Sequence, residues 1–240
     1  MTEALVAAIF FFAAFVQGLS GFGSGLVSMA LLPLFMPLQQ AVAVSSVIGV
    51  TITIGFAIRL RAHTDRAEVA PMALAGLFGV PLGLWLLHSL DSRLVTGLLG
   101  AVLCTHASWS LLRGDRKGRT LARGWAVLAG ALGGALSGAF NTSGPPVLVY
   151  ATLRNWPRDV FRANLQTFFT VTGLLSLIGF ASTGLITAQT LRLDAFALPA
   201  VALGAWGGNR LSARVDPLAF RRGVLVALLV MGAYYIIRLF

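Results

Sequence analysis

Two short polar stretches interrupt otherwise apolar sequence: Gln17-Gly18-Leu19-Ser20-Gly21-Phe22-Gly23-Ser24-Gly25 and Ser137-Gly138-Ala139-Phe140-Asn141-Thr142-Ser143-Gly144-Pro145-Pro146. At membrane depth an unpaired backbone N–H or C=O costs several kcal/mol, so non-helical chain survives only where it packs in protein or lines a cavity. A new helix is expected to open after each stretch, near Ser24 and near Ser143, because serine is a good N-cap. Pro145 and Pro146 suit a first helical turn, where the missing N–H has no partner to lose. Free amides and the positive end of the helix dipole then face into each break, which suits an anion. Glycine lets backbone approach a ligand with no Cβ in the way. Ser20, Ser24, Ser137, Asn141, Thr142 and Ser143 add neutral donors. Together with Gln17, Gly21, Phe22, Gly23, Gly25, Gly138, Gly144 and Pro145 they form the candidate substrate site. The competing reading is that these small residues serve close helix packing.

Polar residues elsewhere are few. Ser45, Ser46, Asn164 and Gln166 lie early in the helices after the breaks; Asn164 and Gln166 join the candidate site, with helix–helix hydrogen bonding as the competitor. Arg154, Arg158 and Arg162 are placed at a cytoplasmic mouth, where they draw anions, although topology alone accounts for them. His106 is the one histidine inside a span, and neither His63 nor His88 gives metal-ligand spacing. Cys104 is a lone thiol in an apolar run and reads as a packed small residue. All eight acids fall at termini, linkers or helix ends, so no carboxylate is expected in the middle of a span. No catalytic triad, carboxylate pair or phosphate loop is convincing; no enzyme, metal or cofactor is expected.

The elements that must hold these loops are membrane helices. Of 240 residues, 57% are hydrophobic and 11% charged, where soluble domains carry about a quarter charged. Several runs approach the ~18 apolar residues of a spanning helix, and the strand alternation of an outer-membrane barrel is missing. The N-terminus carries Glu3 where a secretory signal has Lys or Arg, so the first run reads as retained. The net charge of +10 sits in short linkers, the footprint of the positive-inside rule, and a nucleic-acid partner is excluded. Linkers holding Arg59, Arg61 and Arg66, then Arg113 to Arg123, then Arg210 to Arg222, read as cytoplasmic.

Arg154, Arg158 and Arg162 decide between two architectures. If residues 124–153 cross the membrane, this basic linker lies outside; if they form a re-entrant hairpin, every basic linker stays inside. Arms of about 11–13 residues, at ~1.5 Å rise, reach only partway through a ~30 Å core. The hairpin is therefore preferred over one long broken spanning helix.

The two halves also echo each other. Leu19-Ser20-Gly21 and Ser24-Gly25 recur as Leu136-Ser137-Gly138 and Ser143-Gly144, and Gly79, Gly83 and Asp91 fall against Gly204, Gly208 and Asp216. The expected fold is an all-α polytopic membrane protein with an inverted two-fold repeat. Residues 1–112 hold a hairpin (4–36) and spans 39–58, 69–87 and 94–112. A basic cytoplasmic linker covers 113–123. Residues 124–240 hold a hairpin (124–153) and spans 160–181, 195–209 and 223–237. The hairpins are expected to dip in from opposite faces, with their breaks apposed near the midplane.

Ser20-Gly21-Phe22-Gly23-Ser24-Gly25, its echo from Ser137-Gly138 to Ser143-Gly144-Pro145-Pro146, and Phe161-Arg162-Ala163-Asn164-Leu165 resemble the TauE/SafE sulfite exporter family over nearly the whole chain. The resemblance implies movement of sulfite, sulfonates or related anions across a bacterial inner membrane. It places the family's Gly-rich loops on Ser20 to Gly25 and Ser137 to Gly144, and its basic segment on Arg162. Asn141-Thr142-Ser143 stand where many relatives are richer in glycine.

The expected function is export of sulfite or an organosulfonate by alternating access. An inside-negative potential favours anion exit by ~2.3 kcal/mol per charge per 100 mV. An anion-selective channel, an uptake permease for sulfur-containing or carboxylate anions, and a non-transporting membrane partner are the alternatives. The expected partners are the small anion and the lipid bilayer, with a homodimer left open.

Overall fold

A computed structural model describes residues 2–113, 121–212 and 216–239. Most of the basic linker 113–123 falls outside the described residues, as does Arg214. The described chain is helical: α1 (Thr2–Ser20), α2 (Ser24–Leu31), α3 (Leu38–Leu60), α4 (Arg66–Ser89), α5 (Ser92–Arg113), α6 (Trp125–Phe140), α7 (Gly144–Leu153), α8 (Arg158–Ser182), α9 (Ala188–Leu211) and α10 (Pro217–Ile237). Six of these, α1, α3, α4, α5, α8 and α10, are long and apolar enough to cross a membrane. The list differs from the expected crossings at two places. Helix α1 is a full 19 residues, and α9 runs well beyond 195–209, carrying Arg192, Asp194 and Arg210 within it.

The helices sort into two compact units that do not follow the order of the chain. The first holds α1, α2, α5, α9 and α10. The second holds most of α3, with α4, α6, α7 and α8. Each hairpin therefore packs against the fourth element of the other half: α1 against α9, and α6 against α4.

Glycines make both contacts possible. In the first unit a Cβ on Gly204 would overlap the carbonyl oxygen of Phe11, and one on Gly208 that of Phe15. In the second unit Gly79 and Gly83 meet the carbonyls of Ala131 and Ala135 in the same way. The residue numbers rise together along each pair, so α1 and α9 are parallel, as are α4 and α6. The Gly79/Gly83 and Gly204/Gly208 echo in the sequence thus reports helix packing, the role small residues play in membranes generally. Gly138 belongs with them, since its Cβ would strike the carbonyl of Val80.

The remaining pairs are antiparallel. In the first unit Gly100 faces Gly232, a Cβ on it coming 2.6 Å from the Gly232 oxygen, while Cys104 donates to the Leu229 carbonyl at 3.6 Å. In the second unit a Cβ on Gly173 of α8 would lie 3.1 Å from Val50 of α3. Past the C-terminal end of α3, Asp65 N–H donates to Asn164 Oδ1 of α8 at 2.8 Å, so the chain runs against α8. So α5 pairs with α10 and α3 with α8.

A valine at Gly204 must displace the backbone of α1, and overpacking of this kind costs about 1–3 kcal/mol or more. Gly204→Val is expected to lower the thermal midpoint of the purified protein markedly. Gly223→Ala, in α10 with open space around it, should leave the midpoint unchanged or raise it slightly, because alanine is the better helix former.

Candidate functional site

The non-helical stretches are shorter than the sequence suggests. Only Gly21 to Gly23 and Asn141 to Ser143 leave the helical path. Ser137 and Gly138 belong to α6, which gives that arm 16 residues, about 24 Å at ~1.5 Å per residue, rather than the expected 11–13. In the structure Gly21, Phe22 and Gly23 correspond to Asn141, Thr142 and Ser143. The matched Leu-Ser-Gly triplets sit one helical turn out of register with that correspondence.

In the first break Gly21 (φ 86°) and Gly23 (φ 106°) both take left-handed backbone, where a side chain is strained. Gly23, not Ser24, is the N-cap of α2, and its carbonyl accepts from Val27 N–H at 3.0 Å. Ser24 becomes the first helical residue. No side chain of the cap residue closes this end of α2. The partner comes from the other arm instead. Gln17 Oε1 accepts from Ser24 N–H at 3.2 Å and also from the Ser24 hydroxyl, with Gln17 and Ser24 both buried. Ser20 is turned back on the chain, its hydroxyl donating to Phe22 O at 2.6 Å or Val16 O at 2.8 Å. Gly25 is the second residue of α2 and half-buried.

The second break is built differently. Asn141 takes the left-handed conformation (φ 48°) that ends α6, and its N–H closes onto the Ser137 carbonyl at 2.8 Å. Its side-chain nitrogen lies 3.3 Å from where a Cβ on Gly49 would stand, so it rests against α3. Thr142 and Ser143 are buried. Ser143 is the N-cap of α7 as expected, but its hydroxyl lies 3.4 Å from Thr172 of α8 and does not cap. Ser137 accepts from Ser176 at 2.9 Å. Gly144, Pro145 and Pro146 form the first turn of α7. Two prolines there remove two amides, so Gly144 is left as the main donor. The two breaks are not equivalent sets of backbone donors; the amides of Ser24, Gly25 and Leu26 make the first the richer one.

The ends of the second hairpin meet. Leu121 N–H donates to Leu153 O at 3.3 Å, and Arg154 Nη1 donates to Leu121 O at 2.8 Å. The two ends of residues 124–153 therefore lie side by side, and α6 and α7 form a helical hairpin.

Glu68 ties this end together. It is 2% exposed; Arg123 Nε donates to Oε1 at 2.8 Å, Arg154 Nη2 to the same oxygen, and the Tyr150 hydroxyl to Oε2 at 2.8 Å. The bond to Glu68 holds the Arg123 guanidinium protonated above its ordinary range. Arg154 is thus an ion-pair partner, and its charge is largely spent on Glu68 and not on a mouth. Arg158 is exposed and Arg162 half-buried. Asn164 and Gln166 are fully buried in α8. Glu68→Ala leaves Arg154 without its counter-charge, and breaking such a pair costs about 3–5 kcal/mol. It should lower the thermal midpoint far more than Arg158→Ala does.

The sequence reading placed every acid at an edge. Glu68 does lie at a helix end, in the first turn of α4, although buried. The structure differs at Asp194, which lies two turns inside α9, 2% exposed, with neither oxygen hydrogen-bonded. Arg192, two residues before it, pairs with Glu3 at 3.0 Å instead. The partners of Glu68 lie 55 to 86 positions away in the chain, beyond any local signal. The burial of Asp194 followed only from the longer α9. Among the described residues no group of His, Cys, Asp and Glu gathers to hold a metal.

Comparison with known proteins points one way. The family described as "Sulfite exporter TauE/SafE" matches residues 6–235. The chain is 29% identical over 226 residues to the "Probable sulfite/organosulfonate exporter TauE" of Cupriavidus necator, covering 91% of this chain and 88% of that protein. It is 34% identical over 158 residues to the "Probable inner membrane transporter protein TsaS" of Comamonas testosteroni. That second alignment spans 64% of this chain and 65% of the relative, just under two thirds of its length. No solved structure matches the chain.

Proposed function

The chain belongs to the TauE/SafE sulfite exporter family, and from that premise we propose that it is an inner-membrane exporter of sulfite or an organosulfonate working by alternating access. The observation that carries the anion reading is the start of α2, where left-handed Gly23 opens the helix and the first amides have no capping side chain but Gln17. Sulfite and sulfonate each present three oxygens, which accept several N–H bonds while spreading the charge. The site needs no buried cation to hold them. In this reading Gln17 holds the Ser24 amide and yields it to the anion on binding. The Gly144 amide, with Thr142 and Ser143 beside it, offers a second and poorer set of donors.

The packing supports the inverted repeat. Each hairpin lies on the fourth element of the other half, and α3 and α5 each pair antiparallel with their own counterparts. A two-fold rotation that exchanges antiparallel helices has its axis perpendicular to them, which for spanning helices is the membrane plane. This is the relation by which many secondary transporters present alternate faces.

Purified protein in liposomes loaded with sulfite should show saturable efflux, accelerated by sulfite on the other side. Accelerated exchange is the mark of a carrier. A conductance far above carrier turnover would establish the anion channel instead, and no flux with sulfite, sulfonates or small carboxylates would remove the transport reading.

A further inference from the structure

The second unit contains buried donors that have no acceptor. Among the described residues Arg154 Nε, Trp156 Nε1, Arg162 Nε and Asn164 Nδ2 are buried without a hydrogen-bond partner. All four are N–H groups, and they fall within eleven positions where α7 ends and α8 begins. No buried side-chain oxygen of this unit is left unpaired among the described residues.

Three of the four gather around the first turn of α4. Arg154 is bound to Glu68 through Nη2. Trp156 stacks edge-on against Tyr150 at 5.6 Å, and Tyr150 reaches the other Glu68 oxygen. Asn164, with no exposed surface, accepts from Asp65 N–H at 2.8 Å through Oδ1. That bond fixes the orientation of the amide and makes the orphan atom a donor. Asp65 and Glu68 belong to one turn, Glu68 N–H donating to Asp65 O at 3.1 Å. Arg162 precedes Asn164 by two positions on the helix and so points elsewhere.

The two carboxylates of this turn already have partners. Glu68 takes Arg123 and Arg154 on one oxygen and Tyr150 on the other. Asp65 turns Oδ1 to the amides of Ala67 and Glu68. Each buried N–H without an acceptor costs about 1–3 kcal/mol, and folded proteins seldom leave such groups unmet. One water accepts two hydrogen bonds at most, whereas an oxyanion accepts from every side.

We propose that Arg154 Nε, Trp156 Nε1 and Asn164 Nδ2 form an oxyanion-binding site at the α7–α8 corner, separate from the helix breaks. Its ligand is a group with several anionic oxygens, either a free sulfur oxyanion or the phosphate of an anionic lipid. The proposal does not depend on the anion reading of Gly23: of the candidate substrate residues read from the sequence it uses only Asn164, which lies in α8 and outside both breaks.

Asn164→Asp tests it. The carboxylate still accepts from Asp65 N–H, but it replaces the orphan donor with the missing acceptor. If the corner takes an oxyanion, this variant in neutral detergent keeps or raises the thermal midpoint of the parent. The stabilisation the parent gains from sulfate or sulfite is then lost in the variant. A lowered midpoint with the anion response intact overturns the proposal. Trp156→Phe keeps the ring contact with Tyr150 and removes only the N–H; about fivefold to tenfold weaker binding is expected, one hydrogen bond being worth about 1–1.5 kcal/mol. Phosphatidylglycerol in nanodiscs of neutral lipid forms the second arm. A response there and none to sulfate identifies a lipid phosphate, a response to sulfate identifies a free anion, and no response in either arm refutes the site. Repeating the comparison in a Gly23→Ala background removes any contribution of the first break to the anion response, and the loss on Asn164→Asp must persist there.

Discussion

Gly23→Ala is expected to cut anion flux by about tenfold to a hundredfold while the protein still inserts and folds. At φ 106° the residue lies where L-amino acids pay about 1–3 kcal/mol of strain, and each 1.4 kcal/mol is a factor of ten. The added methyl itself has room, its nearest neighbour being Val16 Cγ1 at 3.5 Å. Strain, and not a clash, is therefore what the substitution introduces. The chain relieves it by rotating out of the left-handed region, which turns the Ser24, Gly25 and Leu26 amides away from their common direction. Gly25→Leu and Gly144→Leu should act in the same sense by filling the approach to each helix end. Gly124→Ala, beside open space, is the matched control. Initial rates of sulfite efflux from liposomes measure the effect, and a parental rate for Gly23→Ala takes the first break out of the substrate site.

The second large effect has the opposite sign. Gln17→Leu should tighten anion binding while slowing turnover. Gln17 Oε1 is the acceptor for the Ser24 N–H and hydroxyl. Leucine removes that acceptor, and a buried donor left unmet costs about 1–3 kcal/mol. The cost falls on the empty state alone, since a bound anion supplies the acceptor itself. Affinity should rise by about fivefold to a hundredfold, and release should slow accordingly. Calorimetric titration with sulfite reads the first and efflux rate the second. Weaker binding would instead make Gln17 a direct ligand of the anion.

Gly23 and Gln17 both lie in a stretch that the sequence marks. An interrupted apolar run with Gly, Ser and Asn in it announces a helix break, because the membrane forbids such chain elsewhere. What the sequence does not carry is where the break begins. Ser137-Gly138 has the composition of a loop, yet Gly138 is in α6 because α4 needs a residue without a Cβ there. Ser24 has the composition of an N-cap, yet left-handed Gly23 takes the position and Gln17, seven residues back, supplies the oxygen. The close approach of the two ends of residues 124–153 agrees with the charge pattern, which sets Arg154 and Arg158 beside the basic linker before α6. The buried Glu68 hub was not legible, because its partners converge only when the hairpin closes. The length of α9 was obscured by Arg192 and Asp194, which look like the edge of a span although helix continues through them.

The exchange of partners between the halves bears on how the protein is made. Helix α1 emerges first, but the helix it packs against, α9, ends at Leu211. At ~5–20 residues per second, the ribosome needs roughly 10–40 s to deliver that partner. Through this interval the first hairpin waits in the insertion machinery or the lipid with Gly18 and its carbonyl neighbours uncovered. The second hairpin waits for nothing, because α4 already precedes it. Assembly should therefore begin with the second unit and finish with the first. Fragments cut in the linker after α5 should be unstable when made singly and become stable when made together, each supplying the helix on which the other's hairpin rests.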